Sequence, residues 1–162
     1  MCRWPGLESL RGVLVLLLGL FALQQGAGAA VIKGKAWLAP LLIERAWQKT
    51  LEQGGEAIKP WPWADTWPVA RLRVPALDVD LLVLAGARGN ALAFGPGHAG
   101  ASPVPGSSGQ SVIAGHRDTH FAFLRAVSLG DHVQLQLPDG GVRTYAIQTS
   151  RVVDSDIHQL TA

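Results

Sequence analysis

The pattern of apolar and polar positions changes character along the chain. Gly12 to Leu23 is an uninterrupted apolar run, and past Gln24 and Gln25 the small, apolar stretch Gly26 to Ile32 brings it to roughly membrane-spanning length. Residues 12–32 are therefore expected to form a transmembrane signal anchor behind a short cytoplasmic segment, residues 1–11. A cleaved signal peptide is the alternative, since Arg3 and Arg11 precede the run and Ala27-Gly28-Ala29 is a small-residue site of the cleavable kind. Charge leaves the orientation open, because Lys33 and Lys35 follow the run as closely as the arginines precede it.

Residues 33–68 change pattern twice. Ile43, Trp47 and Leu51 recur at four-residue spacing, which predicts a short juxtamembrane helix over Ala36 to Leu51 with Pro40 confined to its first turn. Trp37 and Trp47 suit either a membrane interface or the surface of the chain's own domain. Gln53 to Pro68 holds Pro60-Trp61-Pro62-Trp63 and Trp67-Pro68, and reads as an extended linker whose aromatic side chains dock on the domain.

From residue 69 onward the period is two. Val69 to Val74 alternates Leu72 and Val74 with Arg71 and Arg73, and Val79 to Leu84 is a second, more apolar strand. Gly95 to Gly109 is a long irregular connection, after which Gln110 to Ala114 resumes as a strand. Phe121 to Val127 is a brief helical piece. His132 to Leu137, the turn Pro138-Asp139-Gly140-Gly141 and Arg143 to Val153 form a hairpin. The expected class is mainly β, a barrel or sandwich, and the stop at Ala162 without a turn or cap suggests truncation.

Composition narrows the function. The 14 Lys and Arg against 12 Asp and Glu leave a net charge of +2, too mild to argue for nucleic acid. The single cysteine, Cys2, excludes an intrachain disulfide and a cysteine-based zinc cluster, and no feature calls for a cofactor. Oligomeric state is silent in the sequence.

The strongest chemical signal is Ser111-Val112-Ile113-Ala114-Gly115-His116-Arg117-Asp118-Thr119-His120-Phe121, where a strand runs into a glycine and presents a histidine. Imidazole titrates near neutral pH, so His116 can serve as a general acid or base, with Arg117, Asp118 and His120 as orienting neighbours. A structural histidine is the plainer alternative. A metal-dependent hydrolase using His116 and His120 is a further one, but four-residue spacing puts ligands on one face only in a helix, and no Glu follows His116. No metal site is expected. His98, His132 and His158 carry no motif, though His98 lies in the glycine-rich loop.

Three segments in order, Pro60 to Leu72, Phe94-Gly95-Pro96-Gly97-His98 and Ala114 to Phe121, resemble the class GN sortases, the Gram-negative, marine-proteobacterial type. The resemblance implies a sortase-type β-barrel over residues 69–162, incomplete because its last strands are missing. It implies a single-pass protein of the cytoplasmic membrane with its catalytic domain facing the periplasm. It also implies a cysteine transpeptidase that cleaves an LPXTG-like C-terminal sorting signal on a protein substrate, forms an acyl-enzyme and transfers it to an amine or water. His116 matches the family's catalytic histidine. The family's cysteine and arginine fall beyond Ala162, Cys2 would face the opposite side of the membrane, and the 162 residues alone are expected to be inactive. The alternative is an inactive, membrane-anchored peptide-binding module or a pseudogene product.

Overall fold

In a computed structural model, the described backbone covers residues 5–153. The fold divides into two compact units, Met1–Leu38 and Ala39–Ala162, and each is taken by itself. Cys2, Arg3 and His158 lie outside the described residues.

Helix α1 is assigned over Pro5–Glu52. In the first unit its side chains from Val13 to Leu18, with Phe21 and Trp37, are exposed. Among the described residues no helix is long and apolar enough to cross a membrane. The expected short helix is thus the last part of a longer one, and Pro40 is interior, not in a first turn. Its ring removes the donor that would reach the carbonyl one turn back, a loss the exposed side of a helix tolerates better than a packed one.

In the second unit the helix has a packed and an open side. Ala39, Ile43, Ala46, Trp47 and Thr50 are buried, whereas Leu41, Arg45, Gln48, Lys49 and Glu52 are exposed. Trp47 therefore belongs to the domain's interior and Trp37 does not. Glu44 extends from this helix to Arg71, 2.7 Å away, and Arg71 also donates to Asp80 at 2.6 Å. Burial raises the Asp80 carboxyl, but its bonds with Arg71 and then Arg73 outweigh that and hold it below its ordinary value.

The β part is a six-stranded sheet made of β1 (Pro68–Val74), β2 (Val79–Ala85), β3 (Gly97–His98), β4 (Ile113–Ala114), β5 (His132–Gln136) and β6 (Val142–Ala146). Their order is β4-β3-β2-β1-β5-β6, antiparallel except for the β2–β3 pair. A mainly β fold is as expected. β1 alternates buried and half-buried positions along its whole length, and Ala70, Leu72 and Val74 join Val83 and Leu135 in the main core. A second cluster, Ile43, Leu84 and Ala91 with Trp61 and Phe94 against it, lies under the helix.

The Trp/Pro-rich segment is docked, as expected. Trp61 meets Phe94 edge to face at 5.6 Å, and Thr66 donates its hydroxyl proton to the Ala85 carbonyl at 2.7 Å. Trp63 alone of these tryptophans stands far out, 82% exposed. The expected strand over Gln110 to Ala114 is shorter, because the Val112 N–H is taken by the Ser102 hydroxyl. The second arm of the hairpin ends at Ala146, well before Val153.

Candidate active site

β3 and β4 bring the candidate residues to one end of the sheet. Gly97 pairs with Ala114 and His98 with Ile113, so the chain leaving β4 passes Gly115 and reaches His116 at the sheet's outer edge. A Cβ on Gly115 would lie 3.0 Å from the Phe121 ring, so glycine lets that ring sit tightly against the backbone here. The closure is a tight turn in which the His116 carbonyl accepts the N–H of Phe121 at 3.0 Å and that of Thr119 at 3.3 Å. Phe121 in turn packs edge to face on Phe123 at 5.8 Å. The turn is thus fixed from inside by aromatic packing and holds His116 outward, exposed.

The neighbours separate by role. Asp118 accepts from Arg125 on the short helix Ala122–Arg125, and Arg117 lies 3.5 Å from the same oxygen. Asp118 therefore braces the turn and makes no recorded bond to His116. His120 is half-buried, and its Nδ1 is enclosed without a hydrogen-bond partner. Burial, followed by the nearby His116, pushes the His120 imidazole below its ordinary value. Proximity of the two histidines is thus supported, but among the described residues no group of three or more His, Cys, Asp or Glu is arranged to hold a metal.

His98 is structural. It is 5% exposed, and its Nε2 lies 2.9 Å from the Pro103 carbonyl, which can only accept. Nε2 therefore carries the proton. Ser102 Oγ, 3.2 Å from the same nitrogen, gives its own proton to the Ala99 carbonyl and receives the Val112 N–H. This network fastens the loop from Ala99 to Val112. His132 is an exposed residue of β5.

A cleft of about 330 Å³ opens where β2 and β3 end, lined by Thr66, Gly86, Ala87, Arg88, Ala99 and Ala101 among others. Sequence reasoning missed it. Its Ala99–Ala101 wall leaves β3 beside Val112, whose carbonyl accepts the Ala99 N–H, whereas His116 follows the other end of β4.

A family model described as the Sortase domain matches residues 72–162. The chain is 35% identical over 85 residues to Sortase D of Bacillus subtilis, covering 52% of this chain and 42% of that protein; it thus spans less than half of this relative's length. Among solved structures it resembles a Sortase D5 transpeptidase of Clostridium perfringens, with a TM-score of 0.50 at 23% identity over 65% of this chain and 62% of that one. It also resembles a sortase C of Clostridium perfringens with its C-terminal cell wall sorting motif, with a TM-score of 0.51 at 16% identity over 76% and 70%. At these identities the structures speak for the fold, a curled sheet.

Proposed function

Because the chain belongs to the sortase family, whose model covers more than half of it, we propose that it supplies the acid–base and substrate-binding part of a membrane-anchored cysteine transpeptidase acting on C-terminal sorting signals. Sortases are cysteine transpeptidases. The observation that carries the proposal is the placement of His116, exposed just past β4, the outermost strand among the described residues, on a turn braced from beneath.

The chemistry follows from that placement. A thiolate sulfur attacks the carbonyl carbon of the sorting signal, the carbon–nitrogen bond breaks, and the imidazolium of His116 gives its proton to the departing amine. An amine or water then attacks the thioester, leaves its proton on the His116 imidazole, and expels the thiolate. No described residue is a cysteine, so the nucleophile is not among residues 5–153. The cysteine, and the arginine that would stabilise charge on the carbonyl oxygen, are assigned to sequence beyond Ala162. Arg117, Asp118 and His120 are neighbours that hold the turn.

The finer class, the Gram-negative type, rests on Pro60 to Leu72, Phe94 to His98 and Ala114 to Phe121. The anchor is assigned to residues 12–32, the linker to 33–68 and the barrel domain to 69–162, on the periplasmic side of the cytoplasmic membrane. The exposed apolar side chains of Val13 to Leu18 and Phe21 support that anchor.

The test is to read the coding frame beyond codon 162 and to express whatever it encodes in a Gram-negative host. The expected result is a Thr-x-x-Thr-Cys segment and a later arginine, with cleavage of a Leu-Pro-Ala-Thr-Gly peptide by the carbonate-resistant membrane fraction. His116→Ala should lower that cleavage by about 10²–10⁴-fold, the usual worth of a general acid–base group. A stop directly after codon 162, or cleavage indifferent to His116, overturns the transpeptidase reading; activity confined to the soluble fraction overturns the anchor.

A further inference from the structure

A groove of about 450 Å³ lies between the outer side of helix α1 and the segment that returns beside it, residues 58–60. It shares no residue with the His116 turn or with the cleft beside β3. The helix ends on Gly54 and Gly55, whose φ of 68° and 98° reverse the chain, and the Gly55 N–H returns to the Thr50 carbonyl at 2.9 Å. At the far end of the returning segment Trp61 is fixed edge to face against Phe94. Both ends are thus held, and the groove is formed before anything enters it.

Its lining divides by depth. The less exposed part is apolar, with Ala46 buried and Leu42 and Ile58 half-buried. The exposed part is cationic: Arg45 and Lys49 stand four apart on one helical face, and Lys59 belongs to the returning segment. None of these three side chains makes an ion pair or hydrogen bond among the described residues. Of the two carboxylates in the lining, Glu44 is taken by Arg71 at 2.7 Å and by Gln48 Nε2 at 2.8 Å, which leaves Glu52 against three cations.

The returning segment adds a main-chain template. Neither Ile58 nor Lys59 makes a backbone hydrogen bond among the described residues, so the N–H and C=O groups of both are open to a partner. Ile58 is half-buried and Lys59 exposed, the alternation of a strand. A peptide paired with them would set the side chain opposite Ile58 on the apolar base and its neighbours beside Lys59. A flat membrane surface fits less well, since the apolar groups are recessed behind the charged ones. We propose that this groove is a docking site for an extended peptide of a partner protein in which acidic and apolar residues alternate. Main-chain pairing supplies affinity in such a complex, and the alternate side chains supply specificity. None of the groove's residues takes part in the transfer chemistry, so peptide capture here and transpeptidation stand or fall separately.

The experiment measures the anisotropy of fluorescein-labelled Glu-Val-Glu-Val-Glu-Val with the 162-residue chain in uncharged detergent, beside its Lys-Val counterpart and the blocked isomer Glu-Glu-Glu-Val-Val-Val. The alternating Glu peptide should bind about fivefold more tightly than the blocked isomer, which cannot follow the alternation of Ile58 and Lys59. The Lys-Val peptide should not bind, and added salt should weaken the Glu peptide. Exposed ion pairs are each worth about two- to threefold, so Arg45→Gln, Lys49→Gln and Lys59→Gln combined should weaken it by about tenfold. All three side chains are exposed, so the variant should fold, with circular dichroism unchanged. Equal binding of the alternating and blocked peptides, or an affinity that survives the triple substitution, overturns the docking site. Failure of all three peptides to bind overturns it as well and leaves the cations to an anionic membrane surface.

Discussion

In β1 every second side chain from Pro68 to Val74 is buried, while from His116 to Thr119 four consecutive side chains stand exposed. The first region is held by many partners at once: β1 pairs with β2 and β5, and its own Arg71 joins the helix residue Glu44 to Asp80. The second is held by a few contacts beneath it, the Phe121 ring against Gly115 and the two N–H groups given to the His116 carbonyl. Stability is thus concentrated where the sheet is paired on both sides, and the candidate reactive group stands on an exposed turn beside the outermost described strand. Loops on a firm scaffold carry function for the same reason.

The largest way to break this contrast is to empty the firm region. Trp47 is wholly buried, so Trp47→Ala should cost about 3–5 kcal/mol through lost burial and the cavity left behind. Urea unfolding followed by circular dichroism measures it. A loss below about 1 kcal/mol would mean that the helix is peripheral to the folded unit and that the sheet supports itself. The buried Trp47 Nε1 has no partner, so removing that polar atom offsets a little of the cost.

A smaller effect tests the border between the regions. In Gly97→Ala the new methyl would meet the Gly86 carbonyl oxygen, and backbone must move to admit it. Overpacking of this kind costs about 1–3 kcal/mol. The strain should appear locally, as faster amide exchange from Ala87 to Gly89 with exchange in β1 almost unchanged. Equal acceleration in both places would show that the cleft and the core form one cooperative unit, and the contrast would dissolve.

How much of this was legible in the sequence follows the same division. β1 and β5 were readable because one-sided burial imposes a period of two, β2 because it is a short apolar run, and the Pro138 to Gly141 turn marks itself by chemistry, with Gly140 at φ 84°. β3 was not, since Gly97 and His98 have no strand propensity and pair only because β2 lies beside them. Two tryptophans ten residues apart on one helix, Trp37 exposed and Trp47 buried, cannot be told apart by type alone. His116 could be singled out because a strand, a glycine and an imidazole are contiguous. Arg88 has no such context; the glycines on either side of it were the available signal, and the cleft is assembled from three separate stretches of chain.

The smallest effect belongs to His120, which sits between the two regions, half-buried and next to the exposed His116. Burial first, and the charge of His116 second, disfavour its proton in the folded chain. Unfolding frees it to take up a proton at its ordinary value of about 6.5, so in the window below that value the unfolded chain binds more protons than the folded one. The contribution of His120 to stability is therefore complete above about pH 6.5 and is lost as the pH falls toward the folded value. His120→Gln removes this titration. The gap between the stabilities at pH 7 and pH 5, measured by urea midpoints, should be narrower in the variant. An unchanged gap would place His120 with His116 on the solvent side of the turn, and the boundary between braced interior and reactive edge would then run beneath both histidines instead of between them.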